Sequence, residues 1–488
     1  MRFWRILFML LPLSACGVGN SDGPTNVVIV GEPDNLSENG VRLSSAGQHI
    51  RAATHEGLVG LDPAGQIVPA IAERWIVTDD GLSYIFRLRE SDWPDGEEIA
   101  AAEIQSLLRA RLVDLEGTSL GLDLAKIADV RAMTGRVIEI TLTSPMPEFL
   151  RLLAQPELGF VKSGSGVGPM IASSDQETGA VRLSALPPED RGLSPREDWE
   201  ELATNLTVNA MPATQAVEEF ANGDVDLVLN GALDTFPLAQ FGPLSQGNIQ
   251  VDPAIGIFGF AVRNDDGVLA EPARREALSM AIDREALIER FGIGGWTANS
   301  WIVPPELFDG QGPSAARWSD IAFEQRKVLA RQRISAWESQ SEEDAVLRVA
   351  LPEGPGSDTL YEMLSDAWQD IGVETIRVGL DDPAELELRD RLARYSSPRW
   401  FLNQFNCGLE IGLCSEEADA LIVRSLTVRN TTEKGRLLAE AQAAMVAQEI
   451  FIPLGAPIRW SLVRGSITAF QPNSWGLHPL FPLSQPTI

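Results

Sequence analysis

Residues 55–112 read HEGLVGLDPAGQIVPAIAERWIVTDDGLSYIFRLRESDWPDGEEIAAAEIQSLLRARL. Asp62-Pro63-Ala64-Gly65 is a turn, and the mostly apolar Ile67–Trp75 follows it. Asp79-Asp80-Gly81 is a hairpin signal, because a glycine after an aspartate accepts the positive φ of a tight turn. Ser83–Leu88 (SYIFRL) then alternates with the period of two expected of a half-buried strand. Trp93-Pro94-Asp95-Gly96 makes another turn, and Ala101–Leu112 switches to helical spacing. Short strands punctuated by turns and followed by a helix describe one piece of a mixed α/β architecture.

The same mixture extends outward. Upstream, Arg51–Leu61 is helical in its first half. Asn26–Gly31 (NVVIVG) is a β-branched run closed by Gly31-Glu32-Pro33, a first buried strand and its turn. Downstream, strands are expected at Val137–Leu142, Leu206–Val208, Val225–Leu229, Ile257–Val262, Ala345–Ala350 and Phe451–Leu454. Helices are expected at Ala213–Asn222, 272–291, Lys327–Ser335, Asp358–Asp370 and Thr432–Ala447. Helices and strands alternate throughout, so the class is α/β, and no internal repeat is visible. The 488 residues suffice for two or three packed units, and 44% hydrophobic with 22% charged residues is ordinary for a soluble globular body. No internal run approaches the roughly 20 apolar residues of a membrane span.

The amino terminus is a different object. Arg2 and Arg5 form a positive n-region, and Ile6–Leu13 a short apolar h-region. Leu13-Ser14-Ala15-Cys16 resembles the bacterial lipobox, in which the chain is cut before the cysteine and its thiol is diacylated. Buried methylenes at about 0.8 kcal/mol each then hold a soluble domain at a membrane surface. Residues 1–15 are thus read as a lipoprotein signal peptide and 16–25 as a lipidated tether. With Cys16 spent on lipid, Cys407 and Cys414 remain as an even pair in an oxidising compartment, and a disulfide between them is expected. Two cysteines and the scattered His49, His55 and His478 make no metal-ligand cluster. The net charge is −30; losing residues 1–15 removes Arg2 and Arg5 and no acid, leaving −32. Such a chain is repelled by nucleic acid, which is set aside as a partner.

No nucleophile elbow, Walker loop or HExxH is present. Gly164–Pro169 (GSGVGP) has the glycines of a phosphate loop, but proline and a β-like stretch follow it rather than a helix N-terminus. It is read as a plain turn. Neither catalysis nor a cofactor is expected.

The ordered segments resemble the family 5 extracellular solute-binding proteins, receptors of peptide- and nickel-type ABC importers. Residues 55–112 match that family's E-G-L-V, P-x-[IL]-A-x-x-W, D-D-G-x-x-Y-x-F-x-L-R and W-x-D-G pattern. Gly166-Val167-Gly168-Pro169 resembles its G-T-G-P-Y, with Met170 for tyrosine, and Asn222–Asp226 resembles S-G-E-I-D. Arg275–Arg284 (REALSMAIDR), Asp370–Val373 and Ile452-Pro453-Leu454 continue the series in order. These motifs read as scaffold: Trp75 and Trp93 as buried anchors, Asp283 as a helix cap, Arg275 and Arg284 as partners of acids. The resemblance implies a two-lobed periplasmic-binding-protein-like α/β fold (type II, cluster C) with an extra subdomain in the first lobe. Lobe I is then 26–52, 155–249 and 467–488, the inserted subdomain 53–154, and lobe II 250–466. Crossovers are placed near Gln250–Pro253 and Arg464–Phe470. The implied activity is capture of a peptide-like or other small organic solute between lobes, for an ABC permease complex, by an exported monomer in the periplasm or at the cell surface. A non-transport sensory or scaffold lipoprotein of the same fold is the alternative.

One departure bears on the ligand. Peptide-binding relatives carry W-x-A-D-Y-x-D-P-x-x-F-L in the second lobe, whose first aspartate pairs with the peptide ammonium. Here the stretch is Ala393–Leu402 (ARYSSPRWFL): Tyr395, Pro398, Phe401 and Leu402 keep register, while Arg394 replaces that aspartate. A guanidinium repels an ammonium and suits a carboxylate or phosphate. Arg394 and Tyr395 are therefore candidate ligand-binding residues for an anionic solute, unless Arg394 faces solvent or pairs with a neighbouring acid. Glu32 and Asp34 face the same cleft by resemblance; they complete the candidate set and are able to neutralise Arg394.

Overall fold

The structure is a computed structural model that describes residues 23–175, 177–240, 248–308 and 316–484. The expected signal peptide and Cys16 lie outside those residues.

Thr25–Val30 is the centre of a seven-stranded sheet. It pairs in parallel with Leu206–Met211 on one side and Leu227–Gly231 on the other. Met170–Ser174 and Val181–Ala185 extend the first side, and Trp460–Val463 and Ile249–Val251 the second. Val27, Val28 and Ile29 are fully buried, which explains why this strand reads as a continuous apolar run rather than an alternating one. A second, five-stranded sheet orders Glu374–Val378, Val346–Ala350, Leu386–Leu392, Gly256–Val262 and Phe451–Gly455. It carries the long helices Phe323–Ser341, Pro355–Gln369 and Thr431–Ala447. Between the first strand and the rest of its sheet is inserted an antiparallel sheet of Ala72–Val77, Ser83–Leu88, Val137–Leu142 and Ile127–Ala132, with helix Ala101–Asp114.

The quoted signature region folds as its pattern requires. Tyr84, Phe86 and Leu88 point inward from Ser83–Leu88 while their neighbours are only partly buried. Gly81 takes φ +66°, and Asp80 Oδ1 accepts from the Leu82 amide at 3.0 Å, closing the hairpin. Trp93 is 2% exposed and its indole donates to Glu103 Oε2 at 2.6 Å. Gly164–Pro169 is part of a small hairpin, Val161–Lys162 with Ser165–Gly166. There a Cβ on Gly168 would stand 2.2 Å from the Thr54 carbonyl carbon, so glycine is required for close approach to the first helix rather than for phosphate.

Several expectations need correction. The helix expected over 272–291 is two, Pro272–Met280 and Arg284–Phe291. Asp283 separates them, its carboxylate accepting from the Ala286 amide at 3.1 Å as N-cap of the second. Among the described residues Arg275 and Arg284 form no ion pair with an acid: Arg275 donates to the Gln448 carbonyl, and Arg284 to the Pro453 and Ser279 carbonyls. They close helix and strand ends, where free carbonyls collect. Trp75 is only half-buried, because Ala72–Val77 is an edge strand of the inserted sheet. The chain leaves the seven-stranded sheet after Ile249–Val251 and returns at Trp460–Val463. The crossing segments are therefore 252–255 and 456–459, and the second lies ahead of Arg464–Phe470. The two are joined where the Asp252 amide donates to the Arg459 carbonyl at 2.9 Å.

Candidate functional site

The two sheet bodies meet along a polar seam set in apolar surroundings. One hydrophobic cluster runs from the inserted subdomain (Phe149, Leu153, Leu158) into the second body (Ile257, Tyr395, Phe401). Within it, Arg394 follows strand Leu386–Leu392 and reaches the short turn Pro156–Leu158. Its Nη1 and Nη2 donate to Glu157 Oε2 at 2.9 Å and Oε1 at 2.7 Å, a bidentate pair, and Nη1 also donates to Gln155 Oε1 at 2.9 Å. The Glu157 side chain is 1% exposed and that of Arg394 22%. Burial alone would lower the Arg394 pKa, but the Glu157 carboxylate reverses this and holds the guanidinium protonated. In the structure Arg394 is neutralised by a neighbouring acid.

That acid is neither Glu32 nor Asp34. Both are exposed, at the start of the 3-10 turn Pro33–Ser37, where the Glu32 carbonyl accepts from the Asn35 amide. Tyr395 is fully buried, and its hydroxyl donates to Asp123 Oδ1 at 2.9 Å. The structure thus brings Arg394 and Tyr395 to one seam and leaves Glu32 and Asp34 outside their hydrogen-bonding shell.

Asp123 is the hub of the neighbouring contacts. Its Oδ1 also accepts from Asn403 Nδ2 at 2.7 Å, and Arg399 donates to its carbonyl. Burial pushes the Asp123 carboxyl up to about 6 against the opposing pull of Arg399. Beside it, burial and then Lys434 and Arg399 push Lys126 down to about 7. Ser144 and Thr143 donate to the Leu426 carbonyl at 2.7 and 2.9 Å, and Lys434 to the Pro145 carbonyl at 3.2 Å. Farther along lies a small cavity of about 70 Å³ between Leu233 and Asp234 on one body and Phe258, Leu388 and Asp390 on the other. Burial raises the pKa of both carboxyls, and Arg459 partly offsets this at Asp390 by pairing at 2.9 Å. Cys407 and Cys414 are joined as a disulfide, Cα–Cα 5.2 Å, in the loop after helix Pro398–Asn403. Among the described residues no group of three or more His, Cys, Asp or Glu is placed to hold a metal.

Glu157 and Asp123 were not singled out from the sequence, although a signal exists. Each is a lone acid in an apolar run, LLAQPELGF and LGLDLAKI. An unaccompanied carboxylate in such a run has to find a buried partner.

The geometry is that of two α/β bodies, two crossing segments and a seam between them. Residues 66–394, well over half of the chain, match the model of the bacterial extracellular solute-binding proteins, family 5 (middle region). The chain belongs to that family. Among curated family 5 relatives, the glutathione-binding protein GsiB of Salmonella paratyphi A is 25% identical over 466 residues, 83% of this chain and 84% of the relative. The periplasmic oligopeptide-binding protein OppA of Salmonella typhimurium is 20% identical over 513 residues, 94% of this chain and 93% of the relative. The solved structure of Haemophilus influenzae OppA, in complex with RPPGFSPFR, superposes with a TM-score of 0.79 at 16% identity. It covers 95% of this chain and 99% of that one. The fold is therefore the two-lobed one of the family 5 binding proteins.

Proposed function

We propose that this family 5 chain is the substrate-binding component of an ABC importer, taking a peptide-like or other small organic solute between its lobes and carrying out no catalysis itself. The observation that carries the reading is the seam. Two sheet bodies linked by two short crossing segments meet through paired and hydrogen-bonded polar groups, a surface able to part and close. Peptide- and glutathione-binding names among the relatives support the solute class. The cavity at Asp234 and Asp390 has room for no more than a few waters, so a solute enters there only when the lobes separate. Glu32 and Asp34, exposed on their turn, are candidates for meeting the solute on the open face. Arg394 is engaged by Glu157, so it serves closure and leaves the ligand's charge to other groups. The same reading makes the protein an exported monomer, held to a membrane through an acylated Cys16 in the periplasm or at the cell surface.

Native mass spectrometry of the purified protein tests the function. A co-purified small solute that raises thermal stability supports the receptor. A protein empty on isolation and unmoved by peptides, glutathione and small organic acids points to the scaffold alternative. Mass analysis of the mature N-terminus tests the anchor: a diacylated Cys16 is expected, and an unmodified residue farther along overturns it.

A further inference from the structure

A cavity far larger than the one at Asp234 and Asp390 lies away from the seam. Among the described residues, this cavity of about 1190 Å³ is lined by the first lobe and its inserted subdomain and by none of 250–466. Its walls are the C-terminal turns of helix Ser45–Thr54, the loop of Arg89–Glu98, the glycine hairpin at Gly164–Gly168 and the loop of Glu189–Gly192. Its size exceeds the range usual for small-ligand pockets.

Three guanidiniums converge on it. Arg51 is 4% and Arg89 7% exposed, and the Arg191 side chain is 14% exposed. Among the described residues, the ion pairs of this cluster run to one carboxylate. Glu56 takes Arg89 at 2.7 Å and Arg191 at 3.6 Å, and itself does not line the cavity. Arg51 has only the carbonyls of Glu38 and Gly40, at 3.3 and 3.5 Å. Arg51 Nη1, Arg89 Nε, Arg191 Nε and Ser91 Oγ have no hydrogen-bond partner among the described residues. Arg284, equally buried, instead spends all three of its nitrogens on Pro453 and Ser279. A buried guanidinium cannot escape its charge by deprotonating, and with Glu56 the one direct ion-pair acceptor and Glu38 and Glu157 acting on Arg51 only at longer range, the three leave positive potential on the inner wall. His55, also on the wall, is pushed down to about 4 by burial and then by Arg51 and Arg111, and brings no further charge at neutral pH. At the mouth Glu90, Asp92, Glu98, Glu189 and Asp190 are exposed and reverse the sign.

We propose that this cavity is a second solute site, confined to the first lobe, for a small molecule that presents a carboxylate or phosphate to Arg51, Arg89 and Arg191. The acidic mouth selects a ligand whose outer end is neutral or cationic. Since no described residue of the second lobe contributes, occupancy does not depend on closure of the seam. The site stands apart from the solute proposed between the lobes.

Isothermal titration of the purified full chain with succinate, inorganic phosphate and neutral succinamide tests this. Saturable binding of succinate, phosphate or both is expected, none of succinamide, and the stronger of the two anions names the head group. Arg191→Gln and Arg51→Gln should each weaken it about tenfold or more, as loss of a charge-assisted hydrogen bond does. Circular dichroism confirms which variants remain folded, and Arg191, on a surface turn, serves if Arg51→Gln does not fold. Equal binding of succinamide, absence of saturation below about 10 mM, or anion binding untouched by either variant overturns the proposal.

Discussion

Replacing Arg394 by methionine keeps the length of the side chain and removes its charge, leaving Glu157 1% exposed without its cation. Removing one member of a buried pair costs about 3–5 kcal/mol, because the remaining charge stays desolvated. The converse change, Glu157→Leu, should cost less, about 2 kcal/mol, since Arg394 keeps Gln155 and is 22% exposed. The double variant Arg394→Met/Glu157→Leu removes both charges and should lie within about 1 kcal/mol of the parent, giving a coupling energy of roughly 4 kcal/mol or more. Urea unfolding followed by tryptophan fluorescence at pH 7 measures the four proteins. Solute affinity supplies the second readout. If the pair acts by favouring the closed form, Arg394→Met weakens apparent affinity and the double variant restores it, because affinity scales with the closed population. If Arg394 instead grips an anionic solute directly, the double variant stays weak. Additivity of the single changes within about 0.5 kcal/mol would refute the pairing argument altogether.

Three further outcomes follow from the same contacts. The Asp123 pKa is raised from 3.8 to about 6 in the folded protein, which therefore binds the extra proton between these values and loses stability as pH rises through them. The Lys126 pKa is lowered from 10.5 to about 7, so the unfolded chain binds more protons above 7 and stability rises with pH there. Together they place a trough near pH 6–7. Calorimetry across pH should show Asp123→Asn flattening the acid side and Lys126→Met the alkaline side; unchanged profiles would remove these groups from the account. Thiol labelling without reductant should leave Cys407 and Cys414 unreacted. Replacing both by serine should cost about 2.5 kcal/mol, the loop-closure value for so short a span, and a cost near zero would show that the loop is held by other contacts. Gly168→Ala should lower thermal stability, because its Cβ would collide with rigid backbone at Thr54 rather than with a mobile side chain. A melting temperature equal to the parent's would mean the hairpin shifts freely.

The sequence by itself determined the local grammar of this protein. The Asp80-Gly81 turn, the alternation of Ser83–Leu88 and the unbroken apolar Val27–Ile29 depend on residues close in the chain, and periodicity and turn chemistry report such neighbours directly. The ordered motifs likewise carried the family, because scaffold positions such as Trp93 and Asp283 keep their spacing. Arg394 could be noticed from its departure in register. Its partner was out of reach: Glu157 lies 237 positions away, and its apolar run marks a buried acid without naming the group it meets. Asp123, Tyr395, Arg399 and Asn403 meet across a similar distance for the same reason. Whether Arg275 and Arg284 answered acids or carbonyls depended on which helix and strand ends folding brought to them. The first-lobe cavity joins stretches of chain far apart in sequence, from Leu36 to Gly192, and a void has no sequence signature of its own. Charge pairing and cavities are properties of distance in space, and only the tertiary structure sets that distance.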